Sequence, residues 1–124
     1  MYLATVVLAA VLGVAVIAMG TAYLLAPVTN AKGFGLPEWP EGALAAWLNI
    51  KGVRDLGMGV AILVLLATAG PHVMGWYLLV SALVPIGDAI VVLRHRGSKA
   101  LAYGMHGATA LVVIAVAAVL LLAG

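Results

Sequence analysis

The chain has 124 residues, 66% of them hydrophobic and 8% charged, with a formal net charge of +2 and no cysteine. A soluble domain carries about 25% charged residues, so this composition is that of an integral membrane protein. It offers no basic, aromatic-interleaved run for nucleic acid, and it excludes disulfides, thiol nucleophiles and thiolate metal sites.

Hydropathy divides the chain, taken as one domain over 1–124, into four apolar stretches. The first helix, from about Tyr2 to Leu25, has no charged residue and is long enough for a hydrocarbon core of about 30 Å. It lacks the positive start of a signal peptide and its apolar run is too long for one, so it reads as a retained helix. Gly13 and Gly20, a heptad apart, mark a close helix contact. In the connector 26–39, Pro27, Asn30, Gly33, Gly35 and Pro37 predict irregular backbone, and Trp39 suits the membrane interface.

The second helix, about 40–69, opens with Pro40 in its first turn. At about 1.5 Å per residue it would reach roughly 45 Å. It must tilt, bend near Gly52, or begin along the surface. Within it stands Asn49-Ile50-Lys51-Gly52-Val53-Arg54-Asp55-Leu56-Gly57-Met58-Gly59, with three charges in five residues. A charge in hydrocarbon costs about 3 kcal/mol on insertion scales, so these must face one another, a cavity or the membrane surface. Lys51, Arg54, Asp55 and Met58 share an arc of about 100°. Gly52 and Gly59 lie on another face, open to a neighbouring helix.

Gly70-Pro71 stops one helix and starts the next, which predicts antiparallel neighbours. The third helix, about 72–93, carries one acid, Asp88, with Ser81 a heptad before it. Pro85, one turn before Asp88, predicts a kink and a freed carbonyl. The basic link Arg94-His95-Arg96-Gly97-Ser98-Lys99 places Gly97 to end one helix and Ser98 to cap another. A fourth helix follows over about 99–122, with Tyr103 and His106 one turn apart. The fold class is therefore all-α, an integral membrane four-helix transmembrane bundle. By the positive-inside rule the 94–99 link is cytoplasmic and the termini face out, and the composition fits a bacterial inner membrane. This topology brings Lys51, Arg54, Asp55, Asp88, Tyr103 and His106 to similar depth, with Tyr23 and Asn30 at the same end.

Two readings compete for the charges. A snorkelling interfacial patch would only set helix depth, whereas a buried cluster would join Arg54 to Asp55 and Asp88. The second is favoured because snorkelling does not explain an acid in each of helices two and three. A buried network can still be purely structural. His72, His95 and His106 have no ligand spacing, so no metal is expected. Gly57-Met58-Gly59 lies within a helix and matches no nucleotide fingerprint, so no cofactor is expected either. The glycine-lined faces exceed what one small bundle needs, which points to a homodimer.

Lys51-Gly52-x-Arg54-Asp55-x-Gly57, Pro85-x-x-Asp88 and His106-Gly107, with the Pro27…Gly33/Gly35 connector, resemble a family of small four-helix membrane proteins of unknown function. The family occurs in bacteria and fungi, and some fungal members look like the membrane hydrolases of polyketide pathways that open epoxides. The likeness spans nearly the whole chain. It implies acid/base chemistry on a lipophilic intermediate, carried by Arg54, Asp55 and Asp88.

The residue types allow that chemistry. Opening an epoxide needs an acid at the ring oxygen and a base on water. Asp88 is assigned as base, Asp55 as acid and Arg54 as their bridge, with the two carboxylate roles exchangeable. Asn49, Lys51, Met58, Tyr103 and His106 complete the expected pocket for a lipophilic small molecule. The same groups could instead protonate an alkene or isomerise a double bond. Two alternatives of other classes stand beside this reading. One is a proton-coupled transporter subunit, since an intramembrane Asp/Arg/His relay suits proton coupling. The other is a non-catalytic accessory protein pinned by its charges.

Overall fold

A computed structural model describes residues 2–123; Met1 and Gly124, the ends of the expected domain, lie outside the described residues. The described chain is helical and contains no strand. α1 spans Tyr2–Leu25, as its unbroken apolar run predicts. The connector holds a helix that its breakers argued against, α2 at Pro27–Lys32. Pro27 sits in the first turn, where its missing N–H costs no hydrogen bond. Asn30 Nδ2 donates to Ala22 O at 3.1 Å and Ala26 O at 2.8 Å, tying α2 to the end of α1.

The long second helix is divided. A single 3-10 turn at Gly42–Ala45 precedes α3, Ala46–Thr68. The 23 residues of α3 make roughly 35 Å at 1.5 Å per residue, close to a membrane core. The change of geometry thus falls before Ala46 rather than at Gly52. The third helix is interrupted as its proline predicts, giving α4 at Pro71–Ser81 and α5 at Leu83–Arg94. Pro85 has no N–H to offer Ser81 O. The chain tightens just upstream, where Ala82 N–H donates to both Leu78 O at 3.0 Å and Leu79 O at 3.3 Å. The fourth helix begins with a short α6, Lys99–Leu101, capped by Ser98 Oγ accepting from Leu101 N–H at 3.2 Å. A π-helical turn over Ala102–Gly107 leads into α7, Ala108–Ala123.

The glycines decide which helices pair. α1 packs antiparallel on α3, with Gly20 opposite Gly52 and Gly13 opposite Gly59. A Cβ on Gly52 would lie 2.7 Å from Gly20 O, and one on Gly59 would lie 2.7 Å from Gly13 O. In a second pair α4 lies on α7, where Gly75 accommodates Leu121. α3 and α4, expected as close neighbours from their short link, touch far less extensively than α3 and α1. The two glycine heptads are therefore consumed within the chain, while Gly57, Gly87 and Gly104 face open space. The pairs close on a core of Ala9, Ile62, Met74, Leu78, Ala82, Val113, Val116, Ala117 and Leu120. This core fills one end of the bundle and leaves the other end hollow.

Leu3–Leu25, Pro71–Arg94 and Lys99–Leu122 are each long and apolar enough to cross a membrane. Leu3, Val7, Val11 and Val14 on α1 and Leu111 on α7 lie outward and exposed, as lipid-facing side chains do. These stretches mark an integral membrane protein.

The basic link departs from expectation in one respect. α5 ends with Gly97 N–H donating to Val92 O at 2.8 Å and Arg96 N–H donating to Leu93 O at 3.2 Å. This is the Schellman pattern, but the left-handed residue is Arg96, at φ 56°, and not Gly97. Gly97 is needed for a different reason: a Cβ there would run into Gly35 O. An L-residue in the left-handed region costs about 1 kcal/mol or more, and glycine does not pay it. Arg96→Gly is accordingly expected to stabilise the protein by about 0.5–1 kcal/mol, measured as a shift of the unfolding midpoint in detergent.

Candidate functional site

Between the two helix pairs lies a cavity of about 470 Å³. Leu12, Val16 and Met19 of α1, Met58 and Ile62 of α3, Leu78 and Val84 across the α4–α5 break, and Val113 of α7 make most of its wall apolar. Its polar groups gather at one end, where Tyr23, Asn30, Lys51, Asp55, Asp88 and His106 face the same space. Residues from α1, α2, α3, α5 and the π turn thus converge at one depth, as the topology predicts.

On α3, Lys51 Nζ and Asp55 Oδ2 form an ion pair of 2.6 Å, one helical turn apart. The Lys51 ammonium also lies 4.1 Å from the centre of the Tyr23 ring and 5.4 Å from that of Phe34. An ammonium partly removed from water gains about 1–2 kcal/mol from such ring faces. The cation is therefore held against the cavity wall by one anion and two aromatic rings.

Across the cavity, Asp88 Oδ2 stands 4.0 Å from His106 Nδ1. His106 is buried, and its Nε2 lies 2.7 Å from Phe34 O. A carbonyl can only accept, so Nε2 carries the proton and donates it. In the neutral ring Nδ1 is then left with a lone pair on the side of Asp88. The Phe34 ring, 4.4 Å from the imidazole between centroids, covers its face. Phe34 is itself held by Ser98 N–H donating to Gly35 O at 2.7 Å. The connector thus reaches over the polar end of the cavity and orients the histidine.

Of the expected site residues, Lys51, Asp55, Met58, Asp88 and His106 line the cavity, and three do not. Arg54 is exposed and makes no ion pair among the described residues, so the expected Asp55–Arg54–Asp88 bridge is not formed. Lys51, Asp55, Met58 and Ile62 occupy a sector of about 60° on α3, and Arg54 lies roughly 70° from its centre. The arc read from sequence was wider than the face the cavity admits. Asn49 is also outside the cavity: its Nδ2 donates to Tyr23 O at 3.0 Å and Leu24 O at 3.4 Å, satisfying carbonyls at the open end of α1. Tyr103 is 65% exposed. Residues three apart no longer stand above one another in the wider π turn, so His106 turns inward and Tyr103 outward.

Phe34 was not anticipated. Its only sequence signal is that the single phenylalanine of the chain stands between Gly33 and Gly35, a lone aromatic in a loop with no apolar stripe to join.

Fold and site together define a small, all-helical integral membrane protein with an internal cavity, apolar along its length and charged at one end. The chain belongs to the family described as a domain of unknown function, DUF4267, whose model matches residues 13–120. No curated protein and no solved structure matches it.

Proposed function

We propose that the protein is a four-helix transmembrane bundle whose cavity binds a lipophilic small molecule and performs acid/base chemistry on its polar group, with epoxide opening as the reaction. The observation that carries this reading is the pairing of two unlike dyads across one cavity, Lys51–Asp55 on one wall and Asp88–His106 on the other. Cavities of about 300–1,000 Å³ suit drug-sized ligands, and the apolar length of this one suits an intermediate drawn from the bilayer.

Asp88 and His106 Nδ1 both accept hydrogen bonds and could orient one water. In the proposed step the water oxygen bonds to an epoxide carbon while His106 takes its proton. The ring C–O bond breaks, and the Lys51–Asp55 pair gives a proton to the leaving oxygen. One water is added and a diol results; proton return from His106 to Lys51 resets the site. General acid and base groups contribute about 10²–10⁴ each in rate. In this step His106 takes the proton that Asp88 was expected to take, Asp88 orients the water, and the acid is Lys51 held by Asp55, in place of Asp55 held by Arg54. The resemblance to epoxide-opening membrane proteins agrees with it. So does the positive-inside rule, which puts the basic link and the charged end of the cavity on the cytoplasmic side.

The apolar core beneath the cavity favours a closed reaction chamber over a transporter path, since Met74, Leu78 and Leu120 are fully buried there. The test is turnover of lipophilic epoxides to diols by the protein in detergent, followed by mass spectrometry. Asp88→Asn and His106→Phe are expected to lower the rate by about 100-fold or more, and Arg54→Gln to leave it within about threefold. Absence of wild-type turnover across the panel, or equal loss in Arg54→Gln, would reject the assignment.

A further inference from the structure

We infer that the polar end of the cavity is a receptor for a protonated amine, so that lipophilic amines are preferred ligands over alcohols and carboxylates of the same apolar body. The inference rests on the cavity being a ligand site, as proposed above, and is independent of the epoxide reaction.

The hydrogen-bond inventory carries it. Phe34 O commits Nε2 of His106 as a donor, which leaves Nδ1 as an acceptor in the neutral ring. Asp88 Oδ2 is a second acceptor, and at 4.0 Å the two are too far apart to share a hydrogen bond. Asp88 has no hydrogen-bond partner among the described residues, and its side chain is 32% exposed where it lines the cavity. Two acceptors facing one space call for a donor with two hydrogens. A nitrogen about 2.8 Å from each would subtend roughly 90° between them, near the tetrahedral angle of an ammonium.

Charge selects among the donors. Lys51 and Asp55 cancel by direct contact, and Arg54 lies exposed outside the cavity. With His106 neutral, the polar end retains the single negative charge of Asp88. An ammonium neutralises that charge at the end of a cavity whose walls are mostly apolar. A carboxylate would instead add a second anion beside Asp88, which is costly in low dielectric. A hydroxyl, with one hydrogen to donate, satisfies only one of the two acceptors and neutralises nothing. Tyr23 does not compete for the ligand as a donor, because its hydroxyl donates to Asn30 O at 3.3 Å.

The test uses the full chain in detergent and three probes that share one ten-carbon tail: decylamine, decanol and decanoate. Binding is measured by titration calorimetry. Decylamine is expected to bind at least about tenfold tighter than decanol, as a charge-assisted hydrogen bond to a carboxylate would give, with decanoate weakest. Asp88→Asn should bring decylamine to the affinity of decanol. Asp88→Glu, which keeps the charge, should retain the preference and guards against misfolding of the first variant. Arg54→Gln should change nothing. Equal binding of the three probes overturns the inference while leaving the cavity as a ligand site, and so does an amine preference that survives Asp88→Asn. Binding of none of them overturns the ligand-site reading itself and this inference with it.

Discussion

Gly20→Ala is expected to destabilise the protein by about 1–3 kcal/mol, and Gly20→Val by more, because a side chain at this position meets backbone and not a flexible side chain. A Cβ on Gly20 would lie 2.6 Å from Gly52 O and 2.6 Å from Leu56 N. Neither atom can yield without moving α3. In a bilayer the lipid tails are as apolar as the helices, so close backbone approach supplies much of what holds two helices together. The matched control is Gly57→Ala on α3, where an added Cβ has nothing within 4 Å. That change should cost nothing and could stabilise by up to about 1 kcal/mol through helix propensity. An SDS titration of folded protein in mixed micelles distinguishes the two. Equal effects of Gly20→Ala and Gly57→Ala would show that the α1–α3 contact does not hold the fold.

Removing one member of the Lys51–Asp55 pair is the second large effect. The side chains are 31% and 13% exposed respectively, so the carboxylate left by Lys51→Met is only partly hydrated. Breaking a fully buried pair costs about 3–5 kcal/mol; partial exposure reduces this, and about 2–3 kcal/mol is expected. Replacing both, as Lys51→Met with Asp55→Leu, removes the unpaired charge and should restore stability to within about 1 kcal/mol of the wild type. The double variant should nevertheless lose epoxide turnover, since the proton donor of the proposed step is gone. Restored stability without activity assigns the pair to chemistry. Restored activity in the double variant would assign it to structure alone. The Asp88→Asn variant supplies the complementary comparison from the opposite wall.

Several features of this molecule were legible along the chain because they are local. Unbroken apolar runs set the helices, Pro85 located the interruption near Ala82, and Ser98 capped the turn that follows it. Gly13/Gly20 and Gly52/Gly59 announced close contacts because a heptad repeat keeps two glycines on one face. Common depth also followed from sequence alone: a polar group in a membrane helix must find a partner, and apolar helices joined by short links put Tyr23, Lys51, Asp55, Asp88 and His106 near one end. The bounds of the cluster were less legible. Helical periodicity resolves a face only to within one residue's angular step of about 100°, and that is wider than the sector separating Lys51 from Arg54.

What sequence alone determined, then, is an integral membrane protein of apolar helices with a charged end and two glycine seams. Tertiary structure decided which seam meets which, that α3 pairs with α1 and α4 with α7, and that a hollow remains between the pairs. It also decided the chemistry of the polar end. The Phe34 carbonyl reaches His106 from 72 residues away in the chain, and the π turn rotates that histidine inward while turning Tyr103 out. Such contacts depend on how separate helices pack, and no periodicity within one helix encodes them. For that reason Lys51 and His106, and not Arg54 and Tyr103, stand beside the two carboxylates.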